Sequence, residues 1–327
     1  MYHEKKEEST NGSDEDKQMK KMFKIIGIVL LVILIAILTV MKYLNNRPAA
    51  PKDYQTKTET GEEIEAKYMA NGPYEVSLKE EATLLDFEKF WIYYPSELTE
   101  MNKKYPVIVI CNGSGTPLSK YPTVAQHYAS WGFIVVGTEE MNSWNAFGAE
   151  MSIRYLDRMN ENEKIEDTES IFYQKVDFDN VGIVGHSQGG VGVLNAITDT
   201  KHSGIYKTAV SLSPTNKALA HNLFWDYDAS LVSVPILLIS GEGGGDDWVV
   251  TGEQLVEIYN DIPGSKIAVR RRSTPHNEVL YKPDGYITAW FMWQLQGDKE
   301  AGKAFMGEHP EILSNELYTD QMIQIAE

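Results

Sequence analysis

One junction limits the folds open to this 327-residue chain: Val181-Gly-Ile-Val-Gly-His-Ser-Gln-Gly-Gly190, a short apolar run that ends in a glycine-flanked serine. The residues after it, Gly189–Thr198, carry the pattern of a helix. A strand that turns into a helix this abruptly leaves no room for side chains beside the turn, which is why Gly185 and Gly189 stand on either side. The turn throws Ser187 out at the carboxyl edge of a sheet. The helix behind it turns its positive end toward any negative charge that develops there. A serine held in this way is placed to act as a nucleophile.

The rest of the chain agrees with a sheet around that junction. Strand-like runs occur at Phe87–Tyr94, Val107–Cys111, Phe133–Gly137, Val181–Val184, Thr208–Leu212, Ile236–Ser240 and Lys266–Arg270. The central ones are continuously apolar, as in strands covered on both faces. Helical patterns separate them at Thr123–Trp131, Ala149–Asn160, Gly189–Thr198 and Gly252–Asn260, and Gly285–Leu295 closes the series. This alternation predicts an α/β sandwich on a mostly parallel sheet, with an antiparallel edge near residues 74–94.

A serine nucleophile needs a histidine base, and the base needs a carboxylate to fix its tautomer. With the serine on a strand-to-helix turn, the expected chain order is Ser, Asp or Glu, His. Of the histidines late enough in the chain, His309 lies in a charged tail, while His276 follows the last expected central strand and is the expected base. The acid belongs on the loop after Ile236–Ser240, which reads Gly241-Glu-Gly-Gly-Gly-Asp-Asp-Trp-Val-Val250. Asp246 and Asp247 are both feasible there, and spacing to the next helix favours Asp247. Two backbone N–H groups must hold an oxyanion. Gln188, next to the nucleophile, supplies one. Ser114, in the glycine-rich turn Cys111-Asn-Gly-Ser-Gly-Thr-Pro117, supplies the other.

The amino-terminal part has a different character. Ile25–Met41 holds no charge and, as a helix, would extend about 26 Å, close to the ~30 Å apolar core of a bilayer. Its uncharged stretch is too long, and its charged leader too extended, for an ordinary cleaved signal. Lys17, Lys20, Lys21 and Lys24 before the span outnumber Lys42 and Arg47 just after it, which places the amino terminus inside. The expected organisation is a disordered cytosolic head (1–24), a transmembrane signal anchor (25–44), an extracellular linker (45–67) and a catalytic domain (68–327). The net charge of −17 argues against nucleic acid as a partner. The single cysteine, Cys111, excludes an intramolecular disulfide.

These residues resemble the dienelactone-hydrolase, chlorophyllase and cutinase-like polyesterase branch of the α/β-hydrolases over about residues 84–306. The resemblance is carried by Tyr105-Pro-Val-Ile-Val-Ile-Cys-Asn-Gly, Ala129-Ser-Trp-Gly-Phe-Ile-Val-Val, Val176-Asp, Gly185-His-Ser-Gln-Gly-Gly and Val234-Pro-Ile-Leu-Leu-Ile-Ser-Gly. The ending Asp284-Gly-Tyr-Ile-Thr-Ala-Trp-Phe-Met-Trp-Gln-Leu-Gln-Gly-Asp298 is similar to that of secreted lipase-like members. It implies an α/β-hydrolase fold with Ser187 as nucleophile, Asp247 as acid, His276 as base, and Ser114 and Gln188 at the oxyanion positions. Extra glycines before Asp246 and Asp247 leave the choice between them open. Asn112 stands where relatives often carry His.

The segment Thr215–Val234 is short, so any lid is modest and the cleft open, suited to small or extended acyl esters. Trp144, Trp225 and Trp248 fall on loops that should border it, as substrate contacts or as packed loop anchors. No metal or cofactor motif is present, and none is inferred. The expected activity is carboxylic-ester hydrolysis through an acyl-enzyme on an ester partner. Acyl transfer to an envelope acceptor and a non-catalytic surface binding module are the alternatives.

Overall fold

Apolar side chains on successive residues of a strand point to opposite faces, so a run such as Tyr105–Cys111 needs cover on both sides. The computed structural model, which describes residues 8–45, 47–165 and 167–325, gives it that cover. An antiparallel pair, β1 (Val76–Ala82) and β2 (Lys89–Pro95), begins the sheet. The other strands are β3 (Tyr105–Cys111), β4 (Ile134–Thr138), a separate small hairpin of β5 (Lys164–Ile165) and β6 (Thr168–Glu169), β7 (Val176–His186), β8 (Tyr206–Leu212), β9 (Ile236–Gly241), β10 (Lys266–Arg271) and β11 (Tyr318–Gln324). The nine-stranded sheet runs β1-β2-β4-β3-β7-β8-β9-β10-β11, parallel from β4 to β10 and antiparallel at both edges.

The helices are α1 (Glu8–Asn45), α2 (Tyr54–Lys57), α3 (Glu63–Met69), α4 (Pro122–Ser130), α5 (Phe147–Glu161), α6 (Gln188–Thr198), α7 (Lys217–Asn222), α8 (Gly252–Asp261), α9 (Asp284–Gln296), α10 (Lys299–Gly302) and α11 (Glu311–Ser314). Two buried clusters cover the two faces of the sheet. Ile108, Ile110, Val210 and Leu237 pack with residues of α2, α3, α4 and α9. Val107, Val109, Ile183 and Leu238 pack with residues of α5, α6 and α8. This is the α/β-hydrolase fold, with β7 and α6 joined at Ser187 near the centre of the sheet.

Two expected boundaries need correction. The segment 45–67 was expected to be a linker and the domain to start at residue 68. Instead the folded unit runs Ala49–Glu327, and Ala50, Tyr54, Tyr68 and Met69 are buried in its core. Glu65 makes the segment look solvated, yet its carboxylate is fully buried. It accepts from Arg271 Nη1 (2.8 Å), Tyr318 Oη (2.7 Å), Asn315 Nδ2 (2.8 Å) and the Gly61 amide (2.8 Å). A carboxylate with that many donors can be buried without a large penalty. Tyr54 adds a buried hydrogen bond to Asp284 at the start of α9, and Asp284 also takes a 2.7 Å contact from His127 Nδ1 on α4.

The second correction concerns the head. Residues 1–7 lie outside the described residues, but from Glu8 onward the expected disordered stretch is helical and continuous with the apolar segment. Helix extension from an existing nucleus is cheap, and Glu, Lys, Gln and Met are good helix formers. Within α1, Met19–Thr39 is long and apolar enough to cross a membrane, and none of it is buried in protein.

Candidate active site

The geometry of the elbow follows from its glycines. Ser187 has φ 61° and ψ −119°, a conformation that a non-glycine residue adopts only where its surroundings compel it. A Cβ on Gly185 would stand 2.2 Å from the Gly189 carbonyl oxygen, and one on Gly189 would stand 2.2 Å from that of Cys111. Neither position admits any other residue. The Ser187 amide donates to Leu212 O at 2.8 Å, while its own carbonyl receives the amides of Gly190 (2.9 Å) and Val191 (3.3 Å). The neighbouring strand β8 and the first turn of α6 therefore grip the turn, and Ser187 itself is only half-buried.

β9 leads into the loop that carries Asp246 and Asp247, and β10 into the turn that opens at His276. Asp246 is fully buried, and its Oδ1 lies 2.6 Å from Nδ1 of His276, whose side chain is 18% exposed. Its Oδ2 accepts the Gly241 amide at 2.5 Å, so the carboxylate is fastened to the end of its own strand. Asp247, the acid favoured from the sequence, does not face His276. Its half-exposed carboxylate turns to Arg270 Nη2 at 2.5 Å. The reason is local. Asp246 opens a 3-10 turn, Asp246–Trp248, after three glycines at positive φ. That path turns the first aspartate inward and the second outward. Arg270, which the sequence gave no cause to single out, also donates Nε (3.1 Å) and Nη2 (2.8 Å) to Gly241 O, spanning the loop.

The turn after β3 sits against the elbow. A Cβ on Gly113 would be 3.8 Å from Cβ of Ser187. Asn112 pins the turn from behind, donating Nδ2 to Thr138 O (2.8 Å) and Glu140 O (2.9 Å) and accepting from Tyr121. The Gly115 amide donates to Met141 O at 3.1 Å. Among the described residues, the amides of Ser114 and Gln188 donate to no protein group. Gln188 is the first residue of α6, where an N–H has no acceptor inside the helix. Its side-chain Oε1 takes the Ser143 amide at 2.9 Å, tying the β4–α5 loop to the elbow. Burial pushes the Glu140 carboxyl up to about 7, although the Gly148 amide and Ser143 hold it lower than burial alone would.

The three tryptophans fall on loops at the carboxyl ends of β4, β8 and β9. Trp248 is 86% exposed, whereas Trp144 and Trp225 are half-buried. Asn195 on α6 stitches two of these loops together, donating to Trp144 O (2.8 Å) and Asp226 O (3.2 Å). Phe224, which the sequence did not bring forward, is 80% exposed at φ 59°.

Residues 52–279, well over half of the chain, match the model of the PET hydrolase-like (PETase) family. The chain belongs to the PET hydrolase-like family. Among curated proteins it is similar to the cutinase est1 of Thermobifida alba, at 27% identity over 202 residues. That alignment spans 60% of each protein. In this PET hydrolase-like chain the family match begins at residue 52, inside the segment that the fold shows to be part of the domain.

Proposed function

We propose that the protein is a serine hydrolase that cleaves carboxylic esters through an acyl-enzyme on Ser187. The single observation behind this reading is the 2.6 Å contact of buried Asp246 with His276, whose carbonyl is held by His186, the residue before the strained Ser187. Asp246 holds His276 in the tautomer with its proton on Nδ1, leaving Nε2 to accept the serine proton. Ser187 Oγ attacks the ester carbonyl, and the amides of Gln188 and Ser114 receive the oxyanion. His276 returns the proton to the leaving alcohol. Water then attacks the acyl-enzyme with His276 again as base, releasing the acid and freeing Ser187.

The family name and the cutinase relative favour polyesters or other extended esters as substrates. Exposed Trp248 and Phe224, on loops leaving β9 and β8, suit an apolar polymer face better than a small molecule in a closed pocket. Met19–Thr39 is read as a single-pass membrane anchor. Its 21 residues give about 32 Å of helix, and the lysine balance puts the catalytic unit outside.

The test is hydrolysis of p-nitrophenyl acetate, butyrate and octanoate by the full chain in detergent micelles, with fluorophosphonate labelling alongside. Turnover and labelling that both vanish in Ser187→Ala support the proposal. A folded wild-type protein that neither labels nor turns over any ester sinks it.

A further inference from the structure

His186, between Gly185 and the nucleophile, is not idle filling of the elbow. It is 7% exposed, and its Nε2 lies 2.9 Å from the backbone oxygen of His276. The two imidazole centroids are 4.5 Å apart with their planes inclined by 37°. A carbonyl oxygen can only accept, so Nε2 must carry a proton. Burial, together with the nearby His276, pushes the His186 pKa down to about 3, so the ring is neutral near pH 7 and its one proton is on Nε2.

His276 needs such a partner. It opens a short 3-10 turn, His276–Glu278, in the connection between β10 and α9. Asp246 fixes the rotation of its ring through Nδ1, but that contact does not fix the backbone from which the ring is hung. Among the described residues, the only other hydrogen bond to the His276 carbonyl is a long one, 3.3 Å, from the Val279 amide next to the same turn. His186, by contrast, ends β7, with strands paired on both sides. It is covalently next to Ser187.

We propose that His186 is a positioning residue for the base: its Nε2–H, donated to the His276 carbonyl, locks the loop carrying His276 to the strand carrying Ser187. The inference rests on the hydrolase reading above. One side chain thereby sets the spacing of nucleophile and base, the quantity to which proton transfer is most sensitive. Its uncharged ring also lies against an imidazole that becomes cationic during attack, where a second positive charge would oppose the reaction.

The experiment compares wild type with His186→Phe and His186→Met, which lack a donor, and with His186→Gln, whose amide nitrogen can reach the same carbonyl. The full chain is assayed in detergent for kcat and KM on p-nitrophenyl butyrate, for the rate of fluorophosphonate labelling and for thermal melting. The donor-free variants should lose about ten-fold in kcat and labelling rate, with KM within about two-fold, and His186→Gln should recover most of the loss. Two donor-free shapes are included so that misfolding of one leaves the comparison intact. Wild-type rates in a donor-free variant would overturn the positioning role while leaving the hydrolase intact. So would a loss in His186→Gln equal to that in the donor-free variants at matched melting temperature. A wild type inert to both ester and phosphonate would overturn the hydrolase reading, and this inference with it.

Discussion

Asp246 Oδ1 stands 2.6 Å from His276 Nδ1, with Asp246 out of contact with solvent. Asp247 is its chain neighbour but is half-exposed and bound to Arg270. The two aspartates should therefore separate cleanly on mutation. Asp246→Asn offers His276 an amide and favours the wrong tautomer, so kcat/KM for p-nitrophenyl butyrate should fall about 10³–10⁴-fold. Asp247→Asn should stay within a few-fold of wild type. Equal losses in the two variants would mean that the assignment is wrong.

Arg270 holds both ends of the same loop, through Gly241 O and the Asp247 carboxylate. Arg270→Met removes the donors and leaves a buried carbonyl without them, which should cost about 1–3 kcal/mol of stability. The released loop should also lower kcat more than it raises KM. Chemical denaturation and steady-state kinetics on the same preparation would check both.

Glu65 and Arg271 form a buried ion pair whose carboxylate has three further donors. Removing one partner strands the other, at a cost of about 3–5 kcal/mol. Glu65→Ala should therefore melt well below wild type, and a chain starting at Tyr68 should fail to fold, whereas one starting at Ala49 keeps the network. Circular dichroism melts would decide.

Glu140 gives a pH signature. Its folded pKa, about 7, lies above the ordinary 4.5, so between those values the folded state binds more protons than the unfolded state. Stability from this group is thus fully present below about pH 4.5 and is lost as pH rises toward 7. Glu140→Gln should flatten that fall. A melting temperature that drops equally in wild type and variant between pH 5 and 8 would contradict the assignment.

The elbow was legible because its glycines answer a steric demand that few other residues meet, and the central strands because burial on both faces leaves an unbroken apolar run. The early antiparallel edge was also legible, as β1 with β2. What escaped the sequence was settled by tertiary contacts. Asp246 and Asp247 differ only in the path that Gly243, Gly244 and Gly245 impose, and a positive φ leaves no trace in spacing. Glu65 reads as a solvated charge until Arg271, more than two hundred residues away, is brought beside it. The edge strand β11 carries Thr319, Asp320 and Gln321 and reads as tail, because only one of its faces meets the core.

The Glu65 network also fixes an order of events. Its carboxylate belongs to the first part of the domain to leave the ribosome, while its partners Arg271, Asn315 and Tyr318 lie 206, 250 and 253 residues further along. Until those residues are made, Glu65 has no counter-charge, and burying it would be costly. The opening helices must therefore wait, open to water, proteases and chaperones, for nearly the whole domain to be synthesised. Docking of these opening helices is thus a late step of folding, one that follows the synthesis of Arg271, Asn315 and Tyr318.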